Sequence, residues 1–442
     1  MRWSKYNYLF QDNTFYYIYN ALSNSFAELD FEDFNLLKDL SLNFDTAIKK
    51  ITNEDLESLK QAKFIADDKE ELLRIKYSTH YNRFDNSFIS LTINPTLDCN
   101  FNCTYCFENN NRRKEYMDDV VENNLIEFIN SYTPTIKGIY LTWFGGEPLM
   151  AFDKIVSITT KIKKFNLPFG AKMITNGYLL TKEKIEQLDN LSINSIQITI
   201  DGTEINHNSR RKLLNGNGTF DKIIFNIKNL LLFSNTTIIV RVNIDENNKE
   251  DYINVCKYFT KTIEEQYYDR ISIVPGFIDD INSCNTDSCL FDRDRKSKFL
   301  IEIFNQYGVF PFNFYPSDER YECPTRNINT FTIGPKGEIY KCWNDVGKQD
   351  KIIGSLGSVK HVDSNNNVLL KYLTSADPLE DENCKSCFHF PICGGGCPFE
   401  RISKEFENKS NDTCDFMKDH IEDFLKIHLK LKKQKAKNEH KI

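Results

Sequence analysis

The chain has 442 residues, of which 40% are hydrophobic and 27% charged, and its formal net charge is −7. This length exceeds one ordinary hydrophobic core and predicts two or three domains. The acidic balance argues against a nucleic-acid-binding protein, because phosphate contacts need a basic footprint. We find no secretory signal and no stretch long enough to span a membrane, so we expect a cytoplasmic protein. Thirteen cysteines in a reducing compartment then indicate metal or redox chemistry.

Residues 1–85 contain no cysteine and predict a small α+β domain. The segments YNYLF and TFYYIYN are typical of paired strands. The segments EDFNLLKDL and EDLESLKQAKF have the apolar spacing of helices.

Residues 88–290 predict a regular alternation of strands and helices. The six predicted strands are SFISLTIN, GIYLTWF, KMITN, SIQITI, TTIIVRVNI and RISIVPGF. Helical patterns lie between them, which predicts parallel βα units with right-handed crossovers. Six such units indicate a partial (β/α)6 TIM-like barrel, with its chemistry at the carboxyl ends of the strands.

The regular pattern ends after the sixth strand. We interpret residues 291–320 as a linker and residues 321–420 as a cysteine-rich domain held by metal more than by a core. Residues 421–442 begin as an amphipathic helix and end in a Lys-rich, solvated tail.

Three cysteines follow directly on the first predicted barrel strand. They are Cys99, Cys103 and Cys106 in the segment CNFNCTYC. A zinc site takes four ligands, usually from two arms, and here one arm supplies three. Three thiolates instead fit a 4Fe–4S cube with one iron left open. Buried or zinc-bound cysteines are the alternative.

The spacing Cys-x3-Cys-x-aromatic-Cys resembles the hallmark of the radical SAM family. This resemblance implies that the open iron binds S-adenosylmethionine (SAM). It also implies that SAM is cleaved reductively to a 5′-deoxyadenosyl radical, which abstracts hydrogen from a substrate. We therefore expect an oxidoreductase that works under anaerobic conditions.

Further motifs at the ends of the predicted strands resemble the SAM contacts of this family. In WFGGEP the two glycines would let backbone approach the methionine ammonium and the glutamate would receive it, although this segment alone also reads as a turn. The segment TNG ends the third predicted strand, and ITIDG, followed by HNSRR, ends the fourth. The resemblance makes Thr199 and Arg211 candidates for the cofactor's ribose or carboxylate, with Arg210 less favoured, and the aromatic residue of the cysteine motif would face the adenine with its backbone. The cofactor-binding residues implied are Tyr105, Gly145, Gly146, Glu147, Asn176, Thr199 and Arg211.

Seven more cysteines lie between residues 323 and 414, and only one Cys-x2-Cys arm is present, which disfavours a zinc ribbon. The pattern resembles the SPASM extension of radical SAM enzymes, which implies two auxiliary 4Fe–4S clusters. The outer cluster would use Cys384, Cys387, Cys393 and Cys414. The inner cluster would use Cys323, Cys342 and Cys397, and it is either open at one iron or ligated by Cys284 or Cys289.

The resemblance to SPASM proteins implies an enzyme that modifies peptides or proteins. The N-terminal domain is compatible with a winged-helix domain that binds a leader peptide as an added strand, and a decorative cap is the alternative. Our leading hypothesis is a maturase that cross-links a ribosomally synthesised precursor peptide (a RiPP) through a thioether or C–C bond.

Two alternatives stay open. The first is an anaerobic sulfatase-maturating, formylglycine-forming enzyme; that group carries Asp directly after the cysteine that matches Cys342, where this chain has Trp343. The second is a cluster-bearing, peptide-binding regulatory protein, which predicts lost ligands, although all are present.

We expect two partners: a precursor peptide and an electron donor such as flavodoxin or ferredoxin. We expect neither nucleic acid nor a membrane as a partner. No catalytic residue is assigned, because the nearby acids Asp279, Asp280 and Asp345 match no motif.

Overall fold

The computed structural model describes residues 1–106, 113–278, 290–309, 322–358, 361–363, 365–410 and 412–439. Asp279, Asp280, Cys284 and Cys289 lie outside these residues. The chain divides into two compact units, each assembled from separate segments. The first, the terminal unit, contains residues 1–84, 293–327 and 372–442; the second, the barrel unit, contains residues 85–292 and 328–371.

The strands are β1 Arg2–Trp3, β2 Asn7–Asp12, β3 Phe15–Asn20, β4 Phe26–Leu29, β5 Ile65–Ala66, β6 Phe88–Ile93, β7 Phe101–Cys103, β8 Gly138–Trp143, β9 Phe169–Thr175, β10 Ile193–Thr199, β11 Arg211–Leu213, β12 Thr237–Ile244, β13 Ile271–Phe277, β14 Thr330–Ile333, β15 Glu338–Tyr340 and β16 Gly354–Ser355.

The α-helices are α1 Phe31–Leu42, α2 Phe44–Ala47, α3 Asn53–Gln61, α4 Asp68–Phe84, α5 Asp119–Tyr132, α6 Phe152–Lys163, α7 Lys182–Ile185, α8 Glu204–Arg210, α9 Phe220–Phe233, α10 Asp251–Thr262, α11 Arg293–Tyr307, α12 Asn367–Thr374, α13 Glu382–Lys385, α14 Phe390–Cys393, α15 Pro398–Glu407 and α16 Ile421–Glu439. Short 3₁₀ helices are Ile48–Lys50, Pro148–Ala151, Glu265–Arg270, Pro324–Arg326, Trp343–Asp345, Gln349–Lys351 and Phe416–His420.

The barrel unit is built on one sheet, whose described strands run in the order β13-β12-β10-β9-β8-β6-β14-β15-β16. The strands from β6 to β13 in this sheet are the six predicted ones, and each neighbouring pair is parallel. The predicted α/β class with a partial barrel is therefore confirmed. Alternate residues of β6 are buried, as the predicted period of two requires.

Three short strands extend this sheet beyond the first barrel strand, which the sequence analysis did not foresee. Strand β14 pairs parallel with β6, and β15 and β16 follow antiparallel. These strands contain two to four residues each, too few for a periodic signal. They carry the segment around Cys342 into the barrel unit.

The terminal unit contains a three-stranded antiparallel sheet in the order β2-β3-β4. Strands β2 and β3 are the predicted pair, and their turn contains Asn13 at a φ of 54°, a conformation that asparagine tolerates well. Helices α1 and α3 are also as predicted. The core beside this sheet contains Ile18, Leu37, Leu40, Ala47 and Phe64.

A buried ion-pair group lies in the same unit. The Arg83 side chain is 1% exposed and binds Glu322 at 2.7 Å and Asp377 at 2.6 Å. It therefore ties the end of α4 to the residue before Cys323. Among the described residues, no helix has the length and apolar content needed to cross a membrane.

Candidate active site

A cavity of about 380 Å³ lies in the barrel unit, where the carboxyl ends of the parallel strands meet. This is the size of a small-molecule site. Its walls contain Cys99, Phe101, Cys103, Tyr105, Cys106, Phe144, Gly145, Gly146, Ile174, Thr175, Asn176, Gln197, Thr199, Arg211, Arg241, Asn243, Phe277, Ile278, Trp343 and Asn344. The cavity thus brings together the first three cysteines and every predicted cofactor contact except Glu147.

The three cysteines lie on a loop that begins after β6 and is fixed by a two-stranded ribbon. Strand β7 pairs antiparallel with β11, and Cys103 lies opposite Arg211. The backbone N–H of Phe101 donates to Cys99 Sγ at 3.4 Å. Burial, followed by the nearby Glu147 carboxylate, raises the pKa of the Cys99 thiol to about 12. A thiolate here therefore needs a cation to balance its charge.

The cysteine loop supplies the three thiols that a 4Fe–4S cube with one open iron requires. Among the described residues, no three Cys, His, Asp or Glu side chains converge closely enough to hold one ion. In a cube each thiolate binds a different iron, so the thiols surround the cluster without meeting at a point. The three cysteines line one cavity, and the sulfur of Cys99 accepts a backbone N–H. Both features fit that arrangement.

The two glycines of WFGGEP bring the end of β8 against the cysteine loop. A Cβ at Gly145, whose φ is +111°, would lie 2.4 Å from the Thr96 carbonyl oxygen. A Cβ at Gly146 would lie 2.2 Å from the Asp98 carbonyl oxygen. Only glycine permits this approach at either position.

Glu147 does not line the cavity, because its side chain is fully buried behind the wall. Its carboxylate accepts hydrogen bonds from Leu149 N at 3.0 Å, Thr175 Oγ1 at 2.7 Å and Asn176 N at 2.8 Å. Burial raises the pKa of Glu147, and these three donors oppose the shift. The carboxylate thus joins the ends of β8 and β9, and its contact with the cofactor ammonium stays a prediction.

Thr199, at the end of β10, and Arg211, at the start of β11, also line the cavity. Each is 8% exposed. Burial opposes the charge of Arg211, but Cys103, Tyr105 and Asp201 hold its pKa well above the ordinary value. The neighbouring Arg210 is paired with Asp245 at 2.9 Å and does not line the cavity.

The sequence analysis missed several wall residues. Arg241 and Asn243 alternate with buried residues on β12, a period-two signal that places them toward the barrel interior. Trp343 packs on Phe144 with ring centroids 5.6 Å apart, a contact without a sequence signal. Asp345 is 1% exposed and does not line the cavity.

The later cysteines lie mainly in the terminal unit. Burial, followed by Asp415, Cys387 and Cys384, raises the pKa of the Cys393 thiol to about 12, so these thiols lie near one another. Burial and then Cys323 raise the pKa of Cys397 to about 11. Cys342 is buried in the barrel unit.

A run of three glycines shapes the outer cysteine group. Gly394, Gly395 and Gly396 have φ angles of 59°, 88° and 80°. A Cβ at Gly396 would lie 1.9 Å from the carbonyl oxygen of Thr413, the residue before Cys414. The run therefore brings the backbone after Cys393 against the backbone before Cys414.

Residues 93–259 match the family described as the Radical SAM superfamily. These residues therefore form a radical SAM domain, as the first cysteine motif indicated, and the chain is an enzyme.

Three known proteins resemble a larger part of the chain. A cysteine-type anaerobic sulfatase-maturating enzyme of Clostridium novyi (strain NT) is 25% identical over 369 residues, which cover 76% of this chain and 94% of that protein. The structure of native anSMEcpe with bound AdoMet and Cp18Cys peptide has 19% identity and a TM-score of 0.59, and the match covers 79% of this chain and 99% of that one. The structure of Streptococcus suis SuiB bound to precursor peptide SuiA has 15% identity and a TM-score of 0.50, covering 92% and 97%. At these identities the two structures show a shared fold.

Proposed function

We propose that this radical SAM enzyme is a peptide maturase that cross-links a ribosomally synthesised precursor peptide through a thioether or C–C bond. The observation that carries the proposal is the cavity itself. Cys99, Cys103 and Cys106 line it together with Arg241, Trp343 and Phe277. A cofactor and a substrate side chain both need access to such a space.

Cys99, Cys103 and Cys106 would hold a 4Fe–4S cluster, and Tyr105, Gly145, Gly146, Asn176, Thr199 and Arg211 would surround SAM. When bound, the cluster and SAM would supply a 5′-deoxyadenosyl radical, which would abstract a substrate hydrogen. We assign Glu147 a positioning role, because its carboxylate binds backbone and side-chain donors at the ends of β8 and β9.

A peptide substrate is supported by the terminal unit. Its three-stranded sheet has β2 and β4 as outer strands, and an extended peptide binds such an edge by main-chain hydrogen bonds. The SuiB fold, solved with a precursor peptide, covers 92% of the chain, whereas the anSMEcpe fold covers 79%. We propose that residues 1–85 bind the leader of the precursor peptide.

Formylglycine formation is the second candidate, and the similarity to the Clostridium novyi enzyme favours it. The cavity favours cross-linking instead. Trp343 lies on its wall, at the position where the sulfatase-maturating group carries Asp in the resemblance described above. A cross-link that uses a peptide thiol as the attacking group does not need a carboxylate at that position.

We propose that residues 321–420 form a SPASM domain with two auxiliary 4Fe–4S clusters on the ligand sets given above. These clusters would accept the second electron released when the bond forms, and the open inner iron would bind a peptide thiol. Flavodoxin or ferredoxin would supply the first electron. Three clusters predict about twelve irons per chain.

The test is anaerobic mass spectrometry of peptides incubated with reconstituted enzyme, SAM and dithionite. One arm uses the small peptide encoded nearest to the enzyme, and the other uses a sulfatase-type peptide with one cysteine. Loss of two hydrogens from the first peptide, with fragmentation blocked between the joined residues, supports cross-linking. Replacement of the cysteine sulfur by oxygen together with the loss of two hydrogens, which converts the second peptide's cysteine to formylglycine, supports formylglycine formation and contradicts the proposal.

The matched control replaces Cys99, Cys103 and Cys106 by Ala. We expect this variant to lose SAM cleavage and to retain the auxiliary irons, about eight of twelve. SAM cleavage by this variant would contradict the assignment of the catalytic cluster.

A further inference from the structure

The Tyr105 hydroxyl, between the second and third cysteines of the loop, is the acceptor for two side chains from other elements. Arg211 Nη1 donates to it at 2.7 Å, and Asn243 Nδ2 donates to it at 3.1 Å. Arg211 begins β11 and Asn243 lies on β12, so this one oxygen joins the cysteine loop to both strands. A phenylalanine would also satisfy the aromatic position of the cysteine motif, and it would make neither bond.

The surroundings of Tyr105 hold its ring and its partners in place. The Arg210 guanidinium lies over the ring at 5.1 Å from the centroid. Arg241 Nε donates to Asn243 Oδ1 at 2.8 Å, which orients the amide so that its N–H groups face the hydroxyl. Gly276 leaves the space for this guanidinium, since a Cβ there would lie 2.3 Å from Arg241 Nε. The hydroxyl is therefore one member of a chain of contacts from the cysteine loop to β13.

Arg211 has hydrogen-bonding capacity beyond its bond to Tyr105. It is 8% exposed and lines the cavity. Its Nε–H is buried without an acceptor among the described residues. A guanidinium is planar, so fixing Nη1 on the Tyr105 hydroxyl fixes the direction of the remaining N–H groups. A bound carboxylate is the kind of group that such a fork recognises.

We propose that the Tyr105 hydroxyl is a positioning group that directs the Arg211 guanidinium toward the carboxylate of bound SAM. The inference rests on the proposed function, in which Arg211 contacts SAM. Without the hydroxyl, the guanidinium and the Asn243 amide lose a shared acceptor and turn toward other partners, while the cysteines are unchanged. The loss then appears in cofactor affinity and not in cluster assembly.

The test measures SAM affinity of Tyr105→Phe, Arg211→Gln and the double variant, each anaerobically reconstituted and checked for iron content. Binding is followed by calorimetry and by the change that SAM causes in the electron paramagnetic resonance (EPR) spectrum of the reduced cluster. Tyr252→Phe is the matched control, because its buried hydroxyl donates to the Ile273 carbonyl at 2.9 Å in the same unit and does not line the cavity.

We expect Tyr105→Phe to keep the wild-type iron content and to bind SAM about 10- to 100-fold more weakly. The double variant should bind no more weakly than Arg211→Gln alone, because the hydroxyl acts through Arg211. The control should bind SAM as the wild type does.

Unchanged SAM affinity in Tyr105→Phe, or additive losses in the double variant, would overturn the inference while leaving the proposed function intact. Loss of iron from Tyr105→Phe would also overturn it, because the hydroxyl would then serve cluster assembly. If Arg211→Gln alone binds SAM normally, the cofactor role proposed for Arg211 fails, and the inference fails with it.

Discussion

Arg401 is a cation placed directly on the outer cysteine group. Its Nη1 lies 3.6 Å from Cys384 Sγ, and its side chain is 10% exposed. Asp381 holds Nη2 at 2.8 Å, and the Ala376 carbonyl holds Nε at 2.8 Å. Positive charge and hydrogen bonds at cluster sulfurs raise reduction potentials, so we expect Arg401→Gln to lower the potential of the proposed outer auxiliary cluster.

The size of this shift follows from the distance. Two unit charges about 4 Å apart interact by about 4 kcal/mol at an effective dielectric constant of about 20. The electron added on reduction is spread over the cube, and Asp381 offsets part of the guanidinium charge. We therefore expect roughly a quarter to a half of that energy, about 1–2 kcal/mol, which is about 40–90 mV for a one-electron couple.

The assay is an EPR-monitored redox titration of enzyme in which the three cysteines of the first motif are replaced by Ala, so that only auxiliary clusters respond. The control is Lys404→Gln, which removes an exposed charge from the same helix, α15. A potential unchanged by Arg401→Gln, or an equal shift in the control, would refute the reasoning. An iron content that shows no auxiliary cluster would instead refute the proposed SPASM domain.

Glu147→Gln places an amide N–H among three hydrogen-bond donors, so chemical denaturation should show a free energy of unfolding lower by about 1–3 kcal/mol. Unchanged stability would contradict the role of Glu147 in joining β8 and β9. Burial lowers the pKa of His207 from 6.5 to about 3. Between pH 6.5 and pH 3 this histidine is therefore protonated in the unfolded chain and neutral in the folded chain, so a falling pH destabilises the fold. From pH 7 to pH 5 this histidine should cost about 2 kcal/mol, and His207→Gln should remove that part of the pH dependence. Gly396→Ala forces a Cβ against the Thr413 carbonyl oxygen, so iron analysis should show the outer cluster lost, about eight irons instead of twelve. Gly216→Ala, at a φ of +87° with nothing within 4 Å, should keep all of its iron.

The barrel and much of the site could be predicted because the signals were local. Each of the six strands carries its own apolar pattern, and parallel strands bring their carboxyl ends to one edge. Cys99, Gly145, Asn176 and Thr199 each follow or end a predicted strand, so their meeting round one cavity needed no knowledge of long-range contacts.

The features that escaped prediction depend on contacts between distant segments. Strands β7 and β11 have three residues each and pair across more than a hundred positions, so neither has a periodic signal. The hydrogen bonds that bury the Glu147 carboxylate were not predicted, because two of its donors come from Thr175 and Asn176 at the end of the next strand. Trp343 enters the wall through β14 and β15, which join the sheet beside β6.

The ribbon of β7 and β11 sets a limit on how proteins related to this chain can vary in length. Cys103 and Arg211 are partners in one antiparallel register. Substitutions in the ribbon leave that register in place, whereas one inserted or deleted residue in either strand would turn the following side chains to the opposite face. The register that places Cys103, a proposed cluster ligand, opposite Arg211, a proposed cofactor contact, would then be lost. Homologues that keep the chemistry should therefore differ in length outside residues 101–103 and 211–213, and not within them.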